Sequence, residues 1–365
     1  MQKYYDLTDK LWRELCAIPA PSHHEEKRAE YIGAVLSSWG IAYKTDSVNN
    51  VIVRLDGKRS DMIVFEAHTD TVFPDAAPLP FSEDGKNIYC PGCGDDTVAV
   101  AQLMTAVKYI FDTGKTPEYT LIFVLNSCEE GLGNLMGTKA VMERYEKDTA
   151  AFFTFDGTYD EIVNMSVGSH RYKVTVKTEG GHSYSRFGNK NAIDILSRGI
   201  SKIYDIKVPG GGKTTYNVGT VSGGTSVNTI AQSAEMLCEY RSVSYDNLMY
   251  MKGKFEEIFE YLRSFGCEVN IELAGDRPCM RNVDSAKMRE LTGFCRAVME
   301  KHTHAHVKED SGSTDCNIPH FLGIPAVCVG TYMGGGAHTR EEWVEKASVP
   351  AGVEIIKDII MHYFN

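Results

Sequence analysis

Five short segments place metal-binding or acid–base side chains directly after apolar runs. In EAHTDTVF, His68 and Asp70 follow the run 62–66. Residues two apart in extended chain point the same way, so Asp70 can accept from one imidazole nitrogen while the other binds a metal. PGCGDDTVAVAQL carries Asp95 and Asp96 into a helix. Asp95 can offer both oxygens to two cations while Asp96 supports the loop, although adjacent carboxylates at a helix start also simply satisfy amides and the dipole there. VLNSCEEGLGN sets Glu129 and Glu130 behind another apolar run. Neighbours cannot easily share one ligand geometry, so one carboxylate binds metal and the other takes a proton from the metal-bound water. Asp156 ends AFFTFD, and His338 stands in GGGAHTREEW beyond AVCVG.

Each segment alone also reads as a polar turn after a strand. Together they supply His, Asp, Glu, Asp and His from five strand ends, which scattered surface charge does not readily produce. Two imidazoles and three carboxylates suit zinc or cobalt and admit manganese, whereas an all-oxygen calcium or magnesium cage fits poorly.

Positioning these side chains requires an ordered set of strands. VIVRL (51–55), MIVFEA (62–67), TLIFVLN (120–126) and AFFTFD (151–156) read as buried strands, with helices near 96–112 and 135–145 between them. The alternation predicts an α/β sheet covered on both faces, with ligands at the carboxyl ends of its strands. Two helical patterns precede it, divided by Pro19 and Pro21, and Ser22 with Glu25 reads as a capping box for the second.

From about residue 168, HRYKVTVKTEG alternates polar and apolar, so one face of this sheet is wet. A helix near 190–204, strands near 215–221 and 233–241, a helix near 246–265 and a strand at 267–273 complete a β-α-β-β-α-β order. From about 278 the first pattern resumes, with a helix near 284–300, the strand 326–330 and a helix near 349–363. The expected organisation is a discontinuous catalytic domain, 1–167 and 277–365, interrupted by an inserted two-layer domain at 168–276. His302, His304 and His306 in HTHAHVKED read as a polar edge strand in preference to a metal site.

The chain has 365 residues with 43% apolar and 24% charged, enough for two cores. Lys plus Arg number 38 against 49 Asp plus Glu, a formal charge of −11 that disfavours a nucleic-acid footprint. Asp6, Asp9, Lys10, Arg13 and Glu14 interrupt any signal-like apolar stretch, and no run reaches membrane-spanning length. Ten scattered cysteines argue against a disulfide scaffold, so a reduced, cytoplasmic protein without membrane partners is expected. No Gly-x-Ser-x-Gly elbow, P-loop or dinucleotide fingerprint is present; Cys93 and Cys128 flank the expected metal centre, but Cys93 lacks an oriented histidine that the metal reading does not already use.

The segments HTDTV, GCGDD, CEEG, FDG and AHT, in this order, resemble the M20 family of co-catalytic zinc peptidases and deacylases, which includes peptidase T and carboxypeptidase G. The resemblance spans essentially the whole chain. It implies a mixed central sheet flanked by helices, with the inserted domain acting as lid and, in a homodimer, as a dimerisation surface. It implies two divalent ions, one held by His68 and Asp156, the other by Glu130 and His338, with Asp95 bridging and Glu129 as general base. GGHSYSRFGNKNAI resembles the lid segment whose histidine, here His182, helps stabilise the oxyanion, in some members from the partner subunit. GGTSVNTIAQSAEMLCEYR resembles the segment whose asparagine and arginine, here Asn228 and Arg241, touch substrate. SGSTDCN resembles a family loop that places Asp315 beneath the cleft in an architectural role. Thr97 and Ala231, where lysine and proline are common, bear on subgroup and substrate more than on metal binding.

The function expected on this resemblance is hydrolysis of a terminal amide bond of short peptides by a metal-bound water, with amino-terminal release favoured. An N-acyl amino acid deacylase with the same metal centre is the nearest alternative. A non-catalytic peptide-binding protein is the alternative of another class, and the intact Glu129 argues against it.

Overall fold

The runs at 62–66, 120–125 and 151–155 have no polar face, so each needs cover on both sides. In the computed structural model, which describes residues 1–131 and 133–364, they are neighbouring strands of an eight-stranded mixed sheet. Its order is Lys44–Thr45, Val51–Leu55, Tyr119–Asn126, Arg59–His68, Thr149–Phe155, Ala326–Val329, Glu161–Ser166 and Lys308–Gly312. The four central strands are mutually parallel. Their register sets His68 opposite Asn126 and Val329 opposite Phe155, so these carboxyl ends share one edge.

Both faces are packed. On one, Met62, Val64, Ile122, Val124 and Phe152 meet Val141 and Met142 of the helix Met136–Tyr145 and Ile318 of the short helix Asn317–Phe321. On the other, Phe65 stacks on Phe123 and Phe153 with centroids 5.6 and 5.1 Å apart, and Tyr363 meets Phe65 edge-on. Each fully buried phenylalanine contributes roughly 1.5–3 kcal/mol relative to exposure. The helix Ala99–Thr113 packs on the strand Arg59–His68 and against Val349–Met361, which gives the sheet helices as its cover.

The chain divides into two compact units, Met1–Ser166 with Arg281–Asn365, and Val167–Met280. The second unit is a four-stranded antiparallel sheet in the order Thr214–Gly223, Ser233–Ser242, Gly168–Lys177 and Glu268–Arg277. The helices Ala192–Tyr204 and Tyr245–Arg263 bury Leu196, Ile203, Phe255 and Leu262 against Val174, Val176, Met236 and Tyr240. A two-residue ribbon, Gly181–His182 with Thr229–Ile230, accompanies this sheet. Among the described residues no helix is long and apolar enough to cross a membrane.

Two local expectations are corrected. Ser22 and Glu25 do not form a capping box, because tertiary partners claim both side chains. Ser22 donates to Asp70 Oδ2 at 2.6 Å, while Glu25 Oε1 accepts the Cys128 amide at 3.0 Å. The helix that begins at Ser285 runs to Thr303 and closes at His304 in the left-handed region, so His302 is helical and the edge strand starts only at Lys308. The strand Glu161–Ser166 and a small sheet built from Ser82–Glu83, Asn87–Tyr89, Gly334–Gly335 and Trp343–Glu345 have too few apolar residues to announce themselves.

Candidate metal centre

The parallel strands deliver most of the candidate ligands to the same sheet edge. His68 is the last residue of its strand, and its main-chain amide donates to Asp96 Oδ2 at 3.0 Å. Asp156 directly follows Phe155, its amide bound to the Val329 carbonyl at 3.1 Å. Glu129 and Glu130 sit three and four residues beyond Asn126, after Cys128 with its left-handed φ of 57°. His338 also has a left-handed backbone, φ 64°. Such conformations are uncommon outside glycine and persist where tertiary contacts enforce them.

Asp70 binds these pieces together. Its fully buried carboxylate accepts the Glu129 amide through Oδ1 at 2.9 Å, the Glu130 amide through Oδ2 at 3.0 Å and the Ser22 hydroxyl. The same Oδ1 lies 3.4 Å from His68 Nδ1, which leaves Nε2 directed elsewhere. Burial opposes the Asp70 charge, but these donors win and hold its carboxyl below the ordinary aspartate value.

Asp95 lies between two imidazoles. Oδ1 is 3.0 Å from His68 Nε2 and Oδ2 is 2.9 Å from His338 Nε2. The peptide bond joining Asp95 to Asp96 is cis. Ligand atoms of His68, Asp95 and Asp156 fall within 4.8 Å of one another, as do those of Asp95, Glu130 and His338, and those of His68, Glu129 and Glu130. The first two groups share Asp95.

The electrostatics favour added positive charge. Burial, with Asp95 close by, drives the Asp156 carboxyl well above its usual range, and burial raises Glu130 to about 7. The neighbouring carboxylates of Asp95 and Glu130 push His338 up to about 11. Burial works against a charged His68, yet Asp70 and Asp95 raise it well above its usual value. His68 Nε2 and Glu130 Oε1 are buried without an aligned hydrogen-bond partner, a costly state that a cation would relieve. The donor set and these orphaned atoms fit divalent metal.

Beneath this edge, Asp315 accepts from Asn126 Nδ2 at 2.8 Å and from the Thr138 hydroxyl, which also lies 2.8 Å from Glu66 Oε2. One hydroxyl proton cannot serve two carboxylates, so one of the pair is protonated. Burial raises Asp315 to about 7 accordingly.

Two contributors carry no sequence signal. Arg28, 3% exposed, donates to the carbonyls of Ile18 and Thr69 and to Thr97 Oγ1, joining the His68 and Asp95 loops from behind. Glu342 accepts three amides of the Asp95 loop. In HTREEW it reads as surface charge, and only its distance of four residues from His338 hints otherwise. His302, Glu354 and Asp358 also lie within ligand distance of one another. Lys301 and His302 already reach Asp358 Oδ2 at 2.7 Å, and Lys357 and Tyr5 occupy Glu354, so this is an ion-pair network. Burial raises the Cys93 thiol, and the Cys128 thiol to about 12, which removes both as thiolate nucleophiles.

His182, Asn228 and Arg241 belong to the second unit. His182 is exposed on the short ribbon, its Nδ1 accepting the Tyr184 amide at 3.2 Å, while the Asn228 carbonyl accepts Ser183 N–H. Arg241 forms a two-pronged pair with Glu239 at 2.9 and 3.1 Å.

The sequence model described as peptidase family M20/M25/M40 matches residues 64–362. The chain belongs to this family. As an M20 chain, it is 24% identical over 367 residues to protein YqjE of Bacillus subtilis, covering 95% of each. The aminopeptidase PepT of Bacillus cereus superimposes with a TM-score of 0.77 at 21% identity, covering 99% of both chains. An M20 family metallo-carboxypeptidase of Sulfolobus solfataricus superimposes with a TM-score of 0.78 at 14% identity, covering 98% of this chain and 99% of that one. Family membership and the shared-ligand clusters make this M20 protein a metal-dependent hydrolase.

Proposed function

We propose that the chain is a two-metal exopeptidase that cleaves the terminal amide bond of short peptides with a free amino end. The observation that carries this reading is Asp95, whose two oxygens face His68 and His338 separately. In this reading His68, Asp95 and Asp156 hold one ion and Asp95, Glu130 and His338 hold the other. Bound zinc, or cobalt or manganese in its place, would supply the positive charge that polarises the amide carbonyl and makes water easier to deprotonate.

The chain's own groups do the rest. Glu129, grouped with His68 and Glu130 but absent from the two groups that share Asp95, is the base that takes the proton from water and passes it to the leaving amine. Asp70 fixes the His68 ring and presents both glutamates through their amides. His182 is assigned to the oxyanion: its Nδ1 accepts the Tyr184 amide, which leaves Nε2 as the donor. Asn228 and Arg241 are assigned to substrate contact, with Arg241 sharing its guanidinium between Glu239 and a substrate carboxylate.

The test is a parallel assay of zinc- and cobalt-loaded protein on a free-amino tripeptide, the same peptide N-acetylated, and N-acetyl amino acids. Preference for the free-amino peptide supports the reading. Preference for N-acetyl amino acids replaces it with deacylation, and binding without turnover of any of the three replaces it with a peptide-binding protein.

A further inference from the structure

The segment after His338 folds back along the chain that leads into the Asp95 loop. Trp343 pairs with Tyr89 and Val344 with Ile88, and the Glu342 carbonyl accepts the Cys90 amide at 3.2 Å. From this strand the Glu342 side chain, 2% exposed, enters the loop itself. Oε2 accepts Gly92 N–H at 2.5 Å, and Oε1 accepts the amides of Gly94 and Asp95, both at 2.8 Å. Three amides converging on one carboxylate form a preorganised anion cradle, here filled by the protein's own side chain.

The arrangement couples two proposed ligands of one ion. Asp95 is held by its own amide, and His338 lies at the start of the segment that delivers Glu342. Three residues separate His338 from Glu342; Thr339 N–H closes a turn on Gly336 O at 2.9 Å and Thr339 Oγ1 accepts the Glu341 amide at 3.3 Å. The other ion shares Asp95, but its remaining two ligands have independent supports. His68 ends a sheet strand and is braced by Asp70, and Asp156 is tied to Val329. His338 has no such strand behind it, and its side chain is 59% exposed.

We infer that Glu342 is a positioning residue for the ion held by Asp95, Glu130 and His338, fixing the Asp95 backbone against the His338 segment, with a smaller influence on the ion held by His68, Asp95 and Asp156, whose other two ligands have supports of their own. The inference rests on the two-metal reading above. A glutamine cannot replace the carboxylate, because its amide nitrogen would face Gly92 N–H, donor against donor.

The experiment is calorimetric titration of the metal-stripped full chain with zinc alone, repeated with cobalt and read by visible absorption, together with melting of each metal-free protein. His338→Ala identifies which binding step belongs to the second ion. In Glu342→Gln that step weakens by about tenfold or more, the scale of outer-shell partners, while the other step stays within about threefold. The metal-free melting temperature falls, because one buried amide loses its acceptor, so the inference is read from the difference between the two binding steps and not from the melt. Should Glu342→Gln not fold, Glu342→Asp is titrated instead, with the same expectation, since its carboxylate is one methylene too short to reach all three amides. Equal weakening of both steps, or retention of both, overturns the inference. A wild type that takes up fewer than two ions overturns the two-metal reading itself, and the inference with it.

Discussion

The main-chain amide of Glu129 donates to Oδ1 of Asp70 at 2.9 Å. The same oxygen faces His68 Nδ1, so one carboxylate fixes the proposed base and a proposed ligand in a common frame.

Because that frame acts on the Glu129 backbone, its side chain can be neutralised without moving the ligands. Glu129→Gln should retain bound zinc at the wild-type ratio while hydrolysis of a free-amino tripeptide falls on the order of 10²–10⁴-fold. Metal analysis and initial rates on the same preparation check both halves, and joint loss of metal and activity would count against the assignment.

Asp95 is the residue common to both ligand groups. Asp95→Ala should therefore emerge from dialysis against metal-free buffer with neither ion, whereas His338→Ala should keep one. Elemental analysis after dialysis distinguishes these outcomes.

Crowded carboxylates at the sheet edge make the metal-free state electrostatically expensive, as the raised Asp156 and Glu130 groups indicate. Zinc at about 100 times its dissociation constant should add roughly 2.7 kcal/mol of stability. A chelator should lower the melting temperature, and re-addition of zinc should restore it.

His320 gives a pH dependence away from the metal ligands. It is wholly buried, with Nε2–H donating to Ala326 O at 2.8 Å and Nδ1 accepting from Ser166 Oγ at 2.6 Å. Burial lowers it to about 4. Since the folded value lies below the unfolded one near 6.5, the unfolded chain takes up the proton first as pH falls. Stability from this group is complete above about 6.5 and declines toward pH 4, by a total on the order of 3 kcal/mol. Denaturant unfolding across that window should show a shallower decline for His320→Gln than for the wild type.

Gly92 has φ 75°, and a Cβ there would stand 2.6 Å from Thr71 Cγ2. Gly92→Ala should cost roughly 1–3 kcal/mol through backbone strain and overpacking. The denaturant midpoint measures it.

The central strands are legible because burial on both faces leaves continuous apolar runs such as 121–125, and their alternation with helical stretches is the pattern of a sheet covered on both sides. The same logic hides the edges. Lys308–Gly312 reads KEDSG, without an apolar residue, and pairs with Glu161–Ser166 at the edge of the sheet. Polar residues were harder still, because their local pattern says surface while their partners lie far away in sequence. Ser22 and Glu25 match a capping box, yet Asp70 and Cys128 take their hydrogen bonds. Glu342 and Arg28 read as solvated charges, and only the folded loops show what they bind. His68, Asp95, Glu130, Asp156 and His338 were visible because each follows an apolar run or a glycine turn, which is a position as well as a residue type.

Because these five side chains come from segments spread over the sequence from 68 to 338, the order of synthesis bears on when the centre can exist. A nascent chain emerging from the ribosome has His68 early and His338 late, and the strand Ala326–Val329 must slot beside Thr149–Phe155 before the far histidine can approach. Half-translated protein therefore presents an incomplete cradle, and hydrolytic capacity arrives only with the finished sheet.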